Sequence, residues 1–253
     1  MSGQYPLPAM NDPFAGLLAD LADEQATLDD LLAQTPAERW RTPTPAEGWD
    51  VVDTMWHLLI AERAAWASLV EDQDPLAAHP RHAIGPTPDI DPAELLVQWR
   101  AARTATVDAF AGRPSDDRVP WGGRRMSVRS LATARLMESW AHGLDCFAAL
   151  DVQPVDTDRL LHVAWLGWRS LPYAFAVHGE KPPAPPHQLR VELAAPSGVT
   201  WPIGPDEYSG RVRGDAGVWC RVVTHRWRQP APPPLETEGP LAERAVAVAQ
   251  AFL

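Results

Sequence analysis

The sequence predicts an α+β fold, with a helical N-terminal part followed by a small C-terminal part that contains strands. Before residue 150, apolar residues recur at the three- and four-residue spacing of helices, whereas after residue 188 they alternate with polar residues as in half-buried strands. The proline-rich segment 181–187 separates the two patterns. We therefore predict a helical bundle domain over residues 1–180 and a small α/β domain over residues 188–253.

The four long helices are each predicted to begin at a capping residue. Aspartate and serine side chains accept hydrogen bonds from the free N–H groups of the first helical turn, and proline is favoured at the first helical position. The predicted starts are Asp12 (before Pro13), Asp50, Asp91 (before Pro92) and Ser127. The second, third and fourth helices are predicted to end near residues 70, 110 and 150.

Proline- and glycine-rich segments connect these helices. Residues 72–91 contain four prolines and are interpreted as a loop, and a lid over a site is one function it could have. Its two histidines, His79 and His82, are interpreted as solvent-exposed rather than as ligands. Residues 112–126 are predicted to be a turn-rich connection, and residues 156–177 a helix interrupted near Pro172.

In the C-terminal part we predict three strands and two helices. Alternation predicts the first strand, and Pro202 marks an edge strand because proline cannot donate to a sheet ladder. Residues 215–223 fit a helix or a strand, and the aspartate at their start favours a helix. The predicted strands are 189–193, 199–203 and 208–213, and the final helix is 241–252.

Charge and composition argue against several classes of protein. The net charge of -11 is opposite to what a nucleic-acid surface requires. Apolar runs are too short for a transmembrane helix, and the N-terminus does not read as a signal peptide. The 2 cysteines are isolated, which gives no disulfide framework and fits a reducing compartment. We expect a cytoplasmic protein, either a monomer or a homodimer.

A polar stripe on the fourth predicted helix indicates a functional site. Four ionisable residues recur there at spacings of three, four and three residues and therefore share one helix face. They are Arg135, Glu138, His142 and Asp145. Apolar residues occupy the neighbouring faces, and ionisable groups are costly to bury unless they are paired or bound to something. A carboxylate and an imidazole one turn apart, as in Glu138 and His142, suit two ligands of one metal ion.

The third ligand is predicted to be His57, which lies among apolar residues of the second helix. A core histidine bonded to a carbonyl group is the alternative for His57 taken alone, and spacing by itself leaves the two interpretations open. Cys146 follows the stripe directly, so a catalytic thiol is conceivable, although a structural cysteine fits better.

Two segments resemble a known family. The segments PAEGWDVVDTMWHL (residues 45–58) and RLMESWAHGLD (residues 135–145) resemble signature segments of the DinB-like, mycothiol-dependent maleylpyruvate isomerase family. The segment WRSLPYAF (residues 168–175) resembles its actinobacterial metal-binding branch. This resemblance implies a DinB-like four-helix bundle followed by a sterol-carrier-like α/β domain. It also implies a metal, usually zinc (Zn2+) although another divalent ion would fit, bound by His57, Glu138 and His142.

The resemblance implies an enzyme that uses a low-molecular-weight thiol such as mycothiol. The expected reaction on an electrophilic unsaturated small molecule is either isomerisation or thiol S-transfer. Asp145 is a candidate catalytic or thiol-binding residue, or a partner that orients His142. Arg135 could bind a substrate carboxylate or the thiol cofactor, could pair with Glu138, or could form a structural ion pair. The isomerases use a C-terminal arginine, which suggests a catalytic Arg226, although their double arginine reads His225-Arg226 here.

Two other classes of function stay open. Two histidines and one carboxylate also fit a non-haem iron enzyme that uses oxygen. A protein that binds a metal or small molecule without turnover would show a saturable ligand site but no product.

Overall fold

The computed structural model describes residues 12–77, 86–181 and 188–251 and divides the chain into two compact units. The boundary between them falls between Pro154 and Val155, whereas the sequence placed a domain boundary at the proline-rich segment 181–187. That domain assignment stays a prediction. The mixed α+β class is confirmed, with eight helices and two small sheets in the described part of the chain. His79 and His82 lie outside the described residues.

The N-terminal unit is built on four long helices. They are α1 (Pro13–Ala33), α2 (Val51–Glu71), α3 (Pro92–Ala111) and α4 (Val128–Ala149), and a short 3₁₀ helix, Ala37–Arg41, follows α1. The four predicted starts are confirmed, because the side chains of Asp12, Asp50, Asp91 and Ser127 each accept a hydrogen bond from a first-turn N–H. At Asp50 the cap is reciprocal, since Asp53 accepts a bond from the Asp50 N–H in return.

The directions of the helices follow from the bonds between them. Helix α3 runs parallel to α2, because Thr106 donates to the Glu62 carbonyl and Arg113, just after the end of α3, donates to the carbonyl of Leu69, which lies later in α2. Parallel neighbours need a long connection that returns to the starting end, which explains the length of segment 72–91. Helix α4 also packs on α2, and the contacts described below show that these two helices are antiparallel.

A short hairpin interrupts the connection between α3 and α4. Strands β1 (Arg118–Trp121) and β2 (Arg124–Ser127) pair antiparallel around Gly122 and Gly123. Both glycines have positive φ, 58° and 78°, which suits a tight hairpin turn. The carboxylate of Asp74 accepts a hydrogen bond from each of their N–H groups, at 3.0 and 2.7 Å. The prediction of a turn-rich connection without strands was therefore incomplete.

The C-terminal unit contains four helices and a four-stranded sheet among its described residues. The helices are α5 (Leu160–Arg169), α6 (Leu171–Val177), α7 (Ala216–Val223) and α8 (Pro240–Val248). The strands are β3 (Leu189–Ala194), β4 (Thr200–Ile203), β5 (Gly210–Asp215) and β6 (Glu236–Glu238), in the spatial order β4-β3-β5-β6. Only the β3–β5 pair is parallel.

Most sequence predictions for this unit are confirmed. The residues 215–223 form a helix capped by Asp215, and Pro202 lies on the edge strand β4. Strand β6 was missed, and the final helix ends earlier than predicted, at Val248. No helix among the described residues is long and apolar enough to span a membrane.

Candidate metal centre

Helices α2 and α4 bring His57, Glu138 and His142 together. Each offers one ligand atom, and these atoms all lie within 4.8 Å of one another. The Nε2 atom of His57 is 3.1 Å from Oε2 of Glu138, and Nε2 of His142 is 3.5 Å from the same oxygen. Within the described residues this is the only group of three or more histidine, cysteine or acidic side chains with such an arrangement.

The cluster is half-buried and lies against an indole ring. The side chains of His57, Glu138 and His142 are 20%, 25% and 13% exposed, so a ligand can still reach them. Trp49, from the loop before α2, lies 5.2 Å from the His57 ring and stacks on the His142 ring at 5.7 Å, measured between ring centroids. The two imidazole centroids are 4.6 Å apart. This tryptophan restricts the orientation of both imidazoles.

Asp145 orients His142 from the side opposite Glu138. Its Oδ2 atom lies 3.3 Å from Nδ1 of His142, and the carboxylate is fully buried. Because a carboxylate accepts hydrogen bonds, this contact favours the tautomer with a proton on Nδ1. In that tautomer Nε2, which lies 3.5 Å from Oε2 of Glu138, is the ring atom that could bind a metal ion. The same carboxylate–imidazole pairing is common behind metal-binding histidines.

The protonation states also suit a metal ion. Burial raises the pKa of Glu138, but hydrogen bonds with His142 and His57 outweigh this effect and hold the pKa well below its ordinary value. Burial lowers the pKa of His57, and Glu138 only partly opposes this change. An ionised carboxylate and a neutral imidazole are the metal-binding forms of these side chains. Glu138 and Asp145 supply two negative charges, which a divalent cation would balance.

Arg135 forms a buried ion pair with Glu62. Its side chain is 2% exposed, and its Nε atom lies 3.2 Å from Oε1 of Glu62 on α2. Of the possibilities considered from the sequence, the structure shows an ion pair, and its partner is Glu62. The use of Arg135 in binding a substrate or cofactor stays a prediction.

Sequence reasoning missed Glu62 and Trp49. A charged residue in the middle of the apolar stretch LLIAERAAW was the available signal for Glu62. Trp49 directly precedes the capping residue of α2, and only its position near His57 in sequence could have indicated it.

Arg226 lies in the C-terminal unit just after α7, and its guanidinium donates to the Thr224 carbonyl at 2.7 Å. Its catalytic role stays a prediction.

Cys146 is packed in the apolar core, and burial raises the pKa of its thiol. A protonated, enclosed thiol is a poor nucleophile, so a structural role is favoured.

The N-terminal unit is thus helical and carries a cluster of two histidines and one carboxylate that could hold a metal ion. A sequence profile of the mycothiol maleylpyruvate isomerase N-terminal domain matches residues 21–147, so the chain belongs to this family.

The chain is also similar to two relatives over nearly its whole length and shares its fold with two solved structures. The uncharacterized proteins Rv0036c and MT0041 of Mycobacterium tuberculosis (strains H37Rv and CDC 1551) are each 40% identical to the chain, with 96% of the chain and 97% of the relative covered. Crystal structures of a mycothiol-dependent maleylpyruvate isomerase and of a mutant of it share the fold, with TM-scores of 0.57 and 0.56. Their sequence identity is 15%, and 96% of this chain and 99% of each solved chain are covered.

Proposed function

We propose that the chain is a metal-dependent enzyme, with zinc as the metal, that uses a low-molecular-weight thiol such as mycothiol. It would act as an isomerase or a thiol S-transferase on an electrophilic, unsaturated small molecule. The observation that carries the proposal is the convergence of His57, Glu138 and His142 within 4.8 Å. Membership of the mycothiol maleylpyruvate isomerase family supports the thiol.

Three protein ligands are the number found in catalytic zinc sites, which keep a position open for water or substrate. A zinc ion bound by these side chains would lower the pKa of a thiol and so supply thiolate at neutral pH. Asp145 would hold His142 in the ligating tautomer through its contact with Nδ1. Trp49 would keep both imidazoles in place and exclude water from one side of the cluster.

The reaction itself requires little further machinery. A thiolate adds to an electron-poor alkene carbon, and the double bond becomes a single bond about which the substrate rotates. Expulsion of the thiolate then re-forms the double bond in the geometric isomer, whereas protonation of the adduct at carbon with the sulfur retained gives an S-conjugate. Arg226 is our proposed second catalytic group, because a guanidinium can bind the carboxylate or developing negative charge of such a substrate.

The finer structural and cellular assignments are also proposals. The four long helices, α1 to α4, fit a DinB-like four-helix bundle, and the sheet with α7 and α8 fits a sterol-carrier-like domain. The family assignment is consistent with a cytoplasmic protein that acts as a monomer or homodimer on small molecules.

Elemental analysis of the purified protein tests the metal. We expect about one zinc ion per chain in the wild type and in His178→Ala, a control that removes an exposed histidine, and none in His142→Ala. Circular dichroism should show that all three proteins keep their helices. Iron in place of zinc would shift the proposal to oxygen-dependent chemistry, and a metal-free wild type would refute it.

Calorimetric titration tests the thiol. Mycothiol should bind the zinc-loaded protein and should not bind protein stripped of metal by a chelator. Equal binding to both forms would remove the proposed activation of the thiol.

A further inference from the structure

A second polar link joins α2 and α4 next to the metal cluster. Nε of Arg135 donates to Oε1 of Glu62 at 3.2 Å, and these side chains are 2% and 1% exposed. Gln25 of α1 donates to the same oxygen at 3.1 Å. The link lies three residues before Glu138 along α4 and five residues after His57 along α2, as expected for antiparallel helices.

The guanidinium of Arg135 places a positive charge near the cluster of His57, Glu138 and His142. Three residues correspond to about 4.5 Å along a helix axis, so Arg135 and Glu138 are one turn apart on the same helix face. An uncompensated guanidinium here would repel a divalent cation.

Glu62 is the group that compensates this charge. Among the described residues it is the only carboxylate within ion-pair distance of Arg135. Burial raises the pKa of Glu62, and the charge of Arg135 opposes that rise. A guanidinium does not lose its proton in proteins, so the charge of Arg135 is balanced when the Glu62 carboxylate is ionised.

We propose that Glu62 sets the metal affinity of the His57–Glu138–His142 centre by neutralising Arg135. In this role Glu62 does not contact the metal ligands. It acts indirectly, by balancing the charge of Arg135. The inference rests on the proposed metal function. This role differs from that of a purely structural ion pair. A structural pair needs both side chains, whereas charge compensation needs only that the charges of residues 62 and 135 add up to zero.

The proposal is tested by measuring zinc dissociation constants by competition with a chromophoric chelator. The four full-length proteins compared are the wild type, Glu62→Gln, Arg135→Gln and the double variant. Glu62→Gln should bind zinc about tenfold more weakly or worse, because it leaves the guanidinium uncompensated. Arg135→Gln should bind at least as tightly as the wild type, and the double variant should return close to wild-type affinity.

Asp29→Asn serves as the matched control. Asp29 also pairs with two half-buried arginines, Arg100 and Arg103, but on the α1–α3 side of the same unit. It should leave zinc affinity unchanged while disturbing a comparable ion pair. Circular dichroism of each metal-free protein verifies that the helices form.

The outcomes separate this inference from the metal proposal. If the wild type binds zinc and Glu62→Gln binds it equally well, the inference is wrong and the metal centre stands. Weaker binding in Arg135→Gln and in the double variant would indicate a structural pair and would also overturn it, even if Glu62→Gln fails to fold. A wild type without zinc affinity would refute the metal centre, and this inference with it.

Discussion

Replacing Asp145 by asparagine removes the charge of this carboxylate but keeps an oxygen acceptor beside His142. The Oδ2 atom lies 3.3 Å from Nδ1 of the imidazole, and the side chain is fully buried. Asparagine has nearly the same shape and can still accept a hydrogen bond from Nδ1 through its carbonyl oxygen, so any loss reports mainly on the negative charge.

The expected magnitude follows from this distance. Unit charges 3.3 Å apart attract by about 5 kcal/mol at an effective dielectric constant of about 20. A metal-bound imidazole carries only a fraction of a positive charge, so we expect a loss of about 1.4–2.7 kcal/mol, which corresponds to about 10- to 100-fold weaker zinc binding.

Competition with a chromophoric chelator measures this loss, with Asp151→Asn as the control. Asp151 lies just after α4, and its side chain is 88% exposed, so its charge is screened by solvent. The reasoning is refuted if Asp145→Asn retains helical structure and its zinc affinity is within about twofold of that of the control.

Three further predictions concern stability and reactivity. Cys146 and Cys220 are fully buried, so Ellman's reagent should react with neither thiol in native protein and with both after denaturation; rapid labelling of native protein would contradict the enclosed core. Burial raises the pKa of Asp29, but ion pairs with two arginines outweigh it and leave the pKa below its ordinary value. Asp29→Asn should therefore lower the free energy of unfolding, measured with urea at pH 7, by about 1 kcal/mol. The difference between variant and wild type should disappear as the pH falls below about 4 and through the lowered pKa of Asp29. A difference that does not change with pH would contradict this prediction. Gly167→Ala should destabilise the C-terminal unit by about 1–3 kcal/mol, because its new methyl group would meet Val223 at 2.7 Å; Val223→Ala in the same chain should recover part of the loss in thermal melts.

The helix starts were predictable because their determinants are local. The hydrogen-bond acceptors at Asp12, Asp50, Asp91 and Ser127 lie within three residues of the N–H groups they cap. The proximity of Glu138 and His142 on α4 was predictable for the same reason, since helical geometry fixes which residues share a face. His57 could be suggested from its apolar surroundings and from the family resemblance.

The missed features depend on contacts between distant residues or on very short segments. Glu62 and Arg135 are separated by 73 positions, so nothing near either residue identified its partner. The hairpin strands β1 and β2 have four residues each, contain three arginines and a proline, and lack the alternation of apolar residues that indicates a strand. Strand β6 has only three residues, two of them charged, and it forms because β5 offers it an edge.

The separation of the ligands along the chain has a consequence for folding. His57 and Glu138 are 81 residues apart, and they meet only when α2 and α4 pack antiparallel. Bringing such distant segments together requires closure of a long loop, and contacts of this kind form late compared with local helices. A metal ion bound by these side chains would therefore not act as an early template for the chain. Metal retention would instead report that the helices of the N-terminal unit have assembled correctly, which a truncated fragment lacking either helix could not achieve.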